Sequence, residues 1–433
     1  MKLKDILIFL LCLCIFSCDI FNDLFKNKEK EKDIEPYYKA KIIWVSDLFS
    51  NDYGSQILDH DSIFFYECPP GYNKVNIYTL TRLDLETGAF IWRSSVLFNN
   101  ITFCQPQVAN GYVYVLRGQN MILCFDRETG EHTATVSLDI QKKDPILQWE
   151  FAAVYKDYLY LSLYSGGEYK VFFVRLDLNT INHAGDSQAV QYLIPEILWA
   201  RKDYLYITAN PVIYNNTVFT ATDASEKQMA ELAGFDIDTK EMVFHCSFGG
   251  PEDINMYNPL YTRCDSVNPI LIHDNILYYI GDTIGAWDLK SGEKLYRHAM
   301  NFAIPEPERY SSDCYQPLYH KGKIYFTCLA AYTPNSHRNI HCINAETGKL
   351  IWNTIAVGSE SIYSNPILAH GKLYVPQYNG FRVYDPETGK LLGVDKTFMG
   401  AGMGRNILYK DLMICIKKDT INDGRLVAVD VSK

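Results

Sequence analysis

Leu83-Asp84-Leu85-Glu86-Thr87-Gly88-Ala89-Phe90-Ile91-Trp92 decides the fold, because copies of its first six residues recur along the chain. They are Phe125-Asp126-Arg127-Glu128-Thr129-Gly130, Trp287-Asp288-Leu289-Lys290-Ser291-Gly292, Ile343-Asn344-Ala345-Glu346-Thr347-Gly348 and Tyr384-Asp385-Pro386-Glu387-Thr388-Gly389. Two weaker copies lose the glycine, at residues 177–180 and 236–239, and an eighth, Val429-Asp430, stands at the end of the sequence. Each reads as a hairpin turn. Asp bonds backbone amides two residues on, the middle residues form a type I turn, and Gly takes the left-handed position that closes it.

Upstream of each turn lie runs of alternating character, such as Tyr112-Val113-Tyr114-Val115, Ile324-Tyr325-Phe326-Thr327 and Lys372-Leu373-Tyr374-Val375. This is strand patterning. A second short turn precedes them, as in Asn110-Gly111 or His370-Gly371. Earlier still, five copies begin with an amide residue and proline: Gln105-Pro106, Asn210-Pro211, Asn268-Pro269, Gln316-Pro317 and Asn365-Pro366. Four short strands repeated every forty to fifty-five residues or so are the mark of propeller blades, which must stack because one blade cannot cover its own faces.

The expected fold is all-β: a single eight-bladed β-propeller of four-stranded antiparallel blades. The third blade is the least regular, because residues 181–202 intervene before the next blade start. The last blade lacks an outer strand, while residues 41–45, Lys-Ile-Ile-Trp-Val, form an unassigned strand near the other end. Pairing the two closes the ring and removes its open edges.

Thr87-Gly88-Ala89-Phe90-Ile91-Trp92 and Thr347-Gly348-Lys349-Leu350-Ile351-Trp352 resemble the quinoprotein-type (PQQ-like) repeat, with Trp four residues after Gly. At the Trp position other copies hold Ala134, Tyr296 and Gly393. The resemblance implies the fold and leaves two branches for function. Quinone-dependent dehydrogenases bind their cofactor with a vicinal cysteine pair, a stacking Trp, a calcium site and a catalytic Asp; this sequence has no adjacent Cys-Cys. The non-catalytic BamB-type lipoprotein of the outer-membrane assembly machinery shares eight blades, a lipidation motif and a similar length, and this branch implies a binding scaffold without cofactor. A solute or glycan sensor is the alternative reading.

The beginning of the chain reads as an export signal. Lys2 and Lys4 precede an apolar run, residues 6–16, which suits a signal peptide and is too short for a membrane span. Ile15-Phe16-Ser17-Cys18 resembles the lipobox of bacterial lipoproteins, which makes Cys18 the lipidated residue. Residues 19–36 contain Lys26-Asn27-Lys28-Glu29-Lys30-Glu31-Lys32-Asp33, a solvated tether. The expected domain plan is therefore signal peptide at 1–17, lipidated tether at 18–36 and propeller at 37–433. The chain belongs in the cell envelope, anchored by lipid alone. The outer membrane is favoured, although Asp19 after Cys18 leaves the inner membrane open.

A net charge of −10 with no basic cluster outside the leader and tether excludes nucleic acid as a partner. The expected partners are other envelope proteins, bound by a monomer. His337 and His341, beside Cys342, do not read as metal ligands, because their spacing aligns two His only on a helix. Gly400, Gly402 and Gly404 lack a nucleotide-loop context. The repeat Asp residues belong to turns, and Cys124 and Cys342 read as small buried thiols. No catalytic or metal residue is assigned.

The first and third connections of every blade are expected to be short and to share one face. The opposite face collects the long loops, which is where recognition usually lives. Tyr72, Tyr261, Tyr315, Tyr332 and Arg338 are its expected anchors, since Tyr and Arg are over-represented among interface hot spots.

The anchoring expectation is checked by fractionation. Cys18→Ser should release the protein to the soluble fraction or leave it uncleaved; a variant processed and membrane-bound like wild type would refute it.

Overall fold

The computed structural model describes residues 41–50, 56–68, 77–99, 105–118, 120–140, 147–165, 170–202, 210–222, 230–248, 270–280, 283–299, 316–329, 338–355, 365–377, 380–395, 406–420 and 423–432. Among them every regular element is a strand, apart from one 3-10 turn at Leu178–Thr180. The strands form eight antiparallel units of four. Blade 1 runs from the axis outward as Ile57–Asp59, Ser62–Glu67, Ile77–Asp84 and Phe90–Arg93. Blade 2 repeats this with Gln107–Ala109, Tyr112–Arg117, Met121–Asp126 and His132–Leu138.

The ring closes as the orphan strand suggested. Blade 8 takes three strands from the end of the sequence, Ile407–Tyr409, Leu412–Thr420 and Asp423–Asp430. Its outer strand is Lys41–Ser50, paired antiparallel with Asp423–Asp430 in the register Lys41 to Asp430 and Val45 to Val427. Lys41 Nζ caps the seam on the Asp430 carboxylate at 2.8 Å.

Each turn aspartate does what its spacing requires. Asp84 Oδ1 accepts from the Thr87 amide at 2.8 Å and from its hydroxyl at 2.6 Å, and Asp126 and Asp385 repeat the pattern. The residue after the aspartate ties two turns together. Its amide donates to a carbonyl of the blade's first turn: Leu85 to Asp61, Arg127 to Gly111, Ile237 to Asn216, Leu289 to Asn275, Ala345 to Gly322 and Val431 to Asp411. Blade 7 has Pro386 at this position, which carries no amide hydrogen.

The carbonyl of the same residue accepts from the preceding blade. Trp44 Nε1 donates to Leu85 O, Trp92 Nε1 to Arg127 O and Trp352 Nε1 to Pro386 O, at 3.2, 3.0 and 3.0 Å. Tyr296 replaces Trp without loss of the contact, its hydroxyl donating to Ala345 O at 2.9 Å. Arg175 Nη1 serves blade 4 at Ile237 O, and Tyr374 serves blade 8 at Val431 O.

Blade 3 corrects one expectation. Its third connection is not a short turn but residues 178–195, which leave the blade, reach back to blade 2 and add Val190–Leu193 as a fifth strand, parallel to His132–Leu138. The reason lies in two substitutions. Ala134 leaves empty the space that a docking Trp fills in other blades, and Ile181 stands where they have glycine; both are buried in one cluster. The His183 ring stacks on Tyr112 at 3.5 Å and bonds the Thr133 hydroxyl at 2.9 Å, while the Gln191 amide bonds Asn182 N and O.

The docking contact makes a test at two glycines with the same backbone. Gly130 and Gly292 both have φ of 73°, but a Cβ on Gly130 would lie 2.5 Å from the Trp92 ring, whereas one on Gly292 would meet nothing within 4 Å. Gly292→Ala should cost about 1–2 kcal/mol, the left-handed strain alone. Gly130→Ala should cost roughly 1–3 kcal/mol more through overpacking. Urea denaturation of the two variants checks the difference.

Candidate functional site

Two regions of the described surface are open to a ligand or partner: the mouth of the axial channel and the outer rim. The mouth is built from the amide residues that start the inner strands. Gln56, Gln105, Gln316, Asn365 and Asn406, together with prolines, leucines and isoleucines of the same segments, line a cavity of about 370 Å³. Inner strands of only three residues, such as Ile367–Ala369 and Ile407–Tyr409, bring these amides together around the axis.

Blades 7 and 8 are clasped here by reciprocal bonds. Asn365 Oδ1 accepts from Asn406 N at 2.7 Å, Asn406 Nδ2 donates to Asn365 O at 2.7 Å, and Asn365 Nδ2 donates to Asn406 O at 3.1 Å. Carboxamides bond neutral donors and acceptors alike and hold no charge at any ordinary pH. None of the residues that line the mouth titrates, so this lining can bind a neutral polar group but supplies no acid, base or nucleophile.

The short-turn face is chemically committed. Asn110 bonds Asp157 at 3.1 Å, Asn215 bonds Asn275 at 3.2 Å, His370 bonds Asp411 at 2.7 Å and Lys410 bonds Glu86 at 2.5 Å, each linking one blade to the next. The backbone amide and then the hydroxyl of Thr388 hold the Asp385 carboxyl below its ordinary range, and the amides of Ser291 and Lys290 do the same for Asp288. These carboxylates are turn acceptors, as their recurrence indicated.

The cysteines and histidine singled out in the sequence are buried. Burial raises the Cys124 thiol and pushes Cys342 up to about 12, which removes thiolate character at neutral pH. His341 is buried, stacks on Phe326 with ring centroids 5.1 Å apart, and is pushed down to about 4 by desolvation. Its sequence companion His337 lies outside the described residues, as do Gly400, Gly402 and Gly404. Among the described residues no three His, Cys, Asp or Glu side chains converge as metal ligands.

Tyr72, Tyr261, Tyr315 and Tyr332 lie outside the described residues, and so does Cys18. Arg338 begins the strand Arg338–Asn344, opposite Leu329, with its side chain outside the description. The rim, by contrast, was not anticipated. Outer strands of blades 1, 4, 5 and 6 expose apolar side chains there, including Phe90, Val243, Leu295 and Ile351, and the arm over blade 2 adds Tyr192 and Ile194, which are 74% and 81% exposed. The one signal in the sequence was the irregular segment 181–202 and the alternation within Val190-Gln191-Tyr192-Leu193.

A family model described as "Outer membrane protein assembly factor BamB" matches residues 281–432, about a third of the chain. No curated protein matches the sequence. Among solved structures, BamB from Moraxella catarrhalis is similar with a TM-score of 0.58 at 12% identity, over 91% of this chain and 98% of that one. A europium-containing methanol dehydrogenase has a TM-score of 0.63 at 12% identity, over 90% and 88%. The computationally designed protein Ika8 has 0.57 at 12%, over 90% and 99%. A fold shared by an assembly factor, an enzyme and a designed protein identifies the architecture and leaves the activity open.

The pH dependence of stability tests the placement of His341. Its folded pKa lies below the unfolded value of about 6.5, so the unfolded chain binds the proton first. Stability should fall as pH drops from about 6.5 towards 4, by up to roughly 3 kcal/mol, and the loss from this group should level off below that. His341→Gln should remove this component from a pH series of urea melts.

Proposed function

We propose that this chain is a non-catalytic, lipid-anchored binding scaffold of the bacterial cell envelope that takes part in outer-membrane protein assembly. The observation that carries this reading is the match of residues 281–432 to the assembly-factor model. Three features support it. The lipobox-like Ile15-Phe16-Ser17-Cys18 offers an anchor to the membrane where assembly takes place. The ring is held by directional bonds between blades, which suits a platform that presents loops and edges without deforming. The channel mouth is lined by carboxamides and aliphatic side chains, a surface for contact and not for proton transfer.

In this reading residues 1–17 are the signal peptide, 18–36 the lipidated tether and 37–433 the propeller. The protein acts as a monomer at the outer membrane, with its propeller in the periplasm or at the cell surface. Its partners are envelope proteins that dock on the long-loop face through Tyr72, Tyr261, Tyr315, Tyr332 and Arg338.

The test is quantitative affinity purification of the lipidated full chain from detergent-solubilised envelope, combined with measurement of outer-membrane β-barrel proteins in a deletion strain. Enrichment of the barrel-assembly machinery and lowered β-barrel levels are expected. Absence of both would overturn the proposal.

A further inference from the structure

The arm of blade 3 leaves blade 2 with a sheet edge of unusual character. Val190–Leu193 is the last strand of that sheet, and its inner edge is paired with the outer strand of blade 2, Thr135 opposite Val190 and Leu138 opposite Leu193. Backbone groups of a strand alternate between its two edges. Leu193 O accepts from Asp139 N, so Leu193 and Gln191 face blade 2, and the N–H and C=O of Val190 and Tyr192 point away from it. Among the described residues nothing pairs with that outer edge.

Sheet edges are ordinarily guarded by charge, proline or a bulge. Other outer strands carry one of these guards: charge at Arg93 in blade 1, Arg201 in blade 3 and Lys294 in blade 5, and a register shift in blades 4, 6 and 7, where Met242–Phe248, Leu350–Ile355 and Leu391–Asp395 each hold one extra residue against the strand inside them. Residues 190–194, Val-Gln-Tyr-Leu-Ile, hold no charge and no proline, and Val190–Leu193 pairs without a register shift. The side chains of Val190, Tyr192 and Ile194, every second residue, are exposed at 38%, 74% and 81%. The strand is also clamped rather than loose, since Thr135 bonds Ser187 O at 3.0 Å and Gln191 bonds both backbone groups of Asn182.

We propose that residues 190–194 are a docking edge that captures an extended, unfolded segment of another envelope protein by strand addition, the segment being one whose side chains alternate apolar and polar. The proposal rests on the scaffold reading and deepens it by naming the substrate class: stretches destined to become strands of a membrane β-barrel, which carry this alternation. Only an extended backbone satisfies a row of outward N–H and C=O groups, and side chains at alternate positions then meet Val190, Tyr192 and Ile194. A second copy of this chain fits less well. Two four-residue edges would bury far less than the roughly 1,200 Å² of a stable interface, and a net charge of −10 on each copy opposes the approach.

The experiment uses the full chain in detergent and a fluorescent peptide of about twelve residues that alternates Val or Tyr with Thr, beside a peptide of the same composition with its apolar residues in one block. Wild type should bind the alternating peptide at least about tenfold more tightly than the block peptide. Tyr192→Pro removes an outward N–H, the position where an edge strand tolerates proline. It should lose about tenfold or more in affinity with an unchanged melting temperature. Should the proline lower that temperature, Tyr192→Lys keeps the backbone intact and should weaken binding similarly. Equal binding of both peptides, an unchanged affinity in both variants, or a wild-type dimer that Tyr192→Pro renders monomeric would each overturn the proposal. A chain that co-purifies with the assembly machinery yet ignores the alternating peptide keeps the scaffold reading and loses this one; peptide binding without co-purification does the reverse.

Discussion

The peptide group that follows the turn aspartate holds this ring together. Its N–H closes the blade internally, on the carbonyl of the first turn, and its C=O receives a donor from the blade before. One residue therefore fixes both the fold of its own blade and the angle of its neighbour. A blade exposes apolar faces that only the next blade can cover, so a directional bond, made at six seams among the described residues, converts greasy stacking into a defined rotation. Burial supplies most of the energy and the hydrogen bond supplies the register.

The same requirement is met by different chemistry around the ring. Trp does it at three seams, Tyr from the outer strand at one, Tyr from the second strand at another and Arg at a sixth. What is shared is a long side chain with a donor at its tip and a flat or apolar body that can lie against the neighbouring turn. Where Trp docks it needs glycine beneath it, as Gly88, Gly130 and Gly389 lie against Trp44, Trp92 and Trp352. Blade 2 inverts the pair to Ala134 and Ile181, and there the chain departs from the repeat to build the arm.

This division of labour separates the surfaces by availability. The short-turn face uses its polar groups on itself, from Asn110 and Asp157 to Lys410 and Glu86. The channel mouth keeps neutral amides, part of them engaged in the clasp between Asn365 and Asn406. Among the described surfaces the rim presents main-chain groups with apolar side chains beside them, because a radial sheet must end somewhere, and blade 2 ends in a strand lent by its neighbour that holds neither charge nor register shift.

The blade count, the turn role of Asp84, Asp126 and Asp385, and closure by the strand around Trp44 were legible in the residues, because each follows from local residue type or from a repeat that can be counted. The burial of Cys124 and Cys342 was legible for the same reason, as both occupy small-residue positions of that repeat. Packing across the seams chose which donor reaches each turn carbonyl, put Tyr296 and Arg175 in the place of tryptophan, and brought Val190–Leu193 into the sheet of another blade. Those contacts link residues 35, 49 and 62 positions apart, and the partner is chosen by the space left across the seam: the bulk of Ile181 matters only because Ala134, far away in the chain, left room for it.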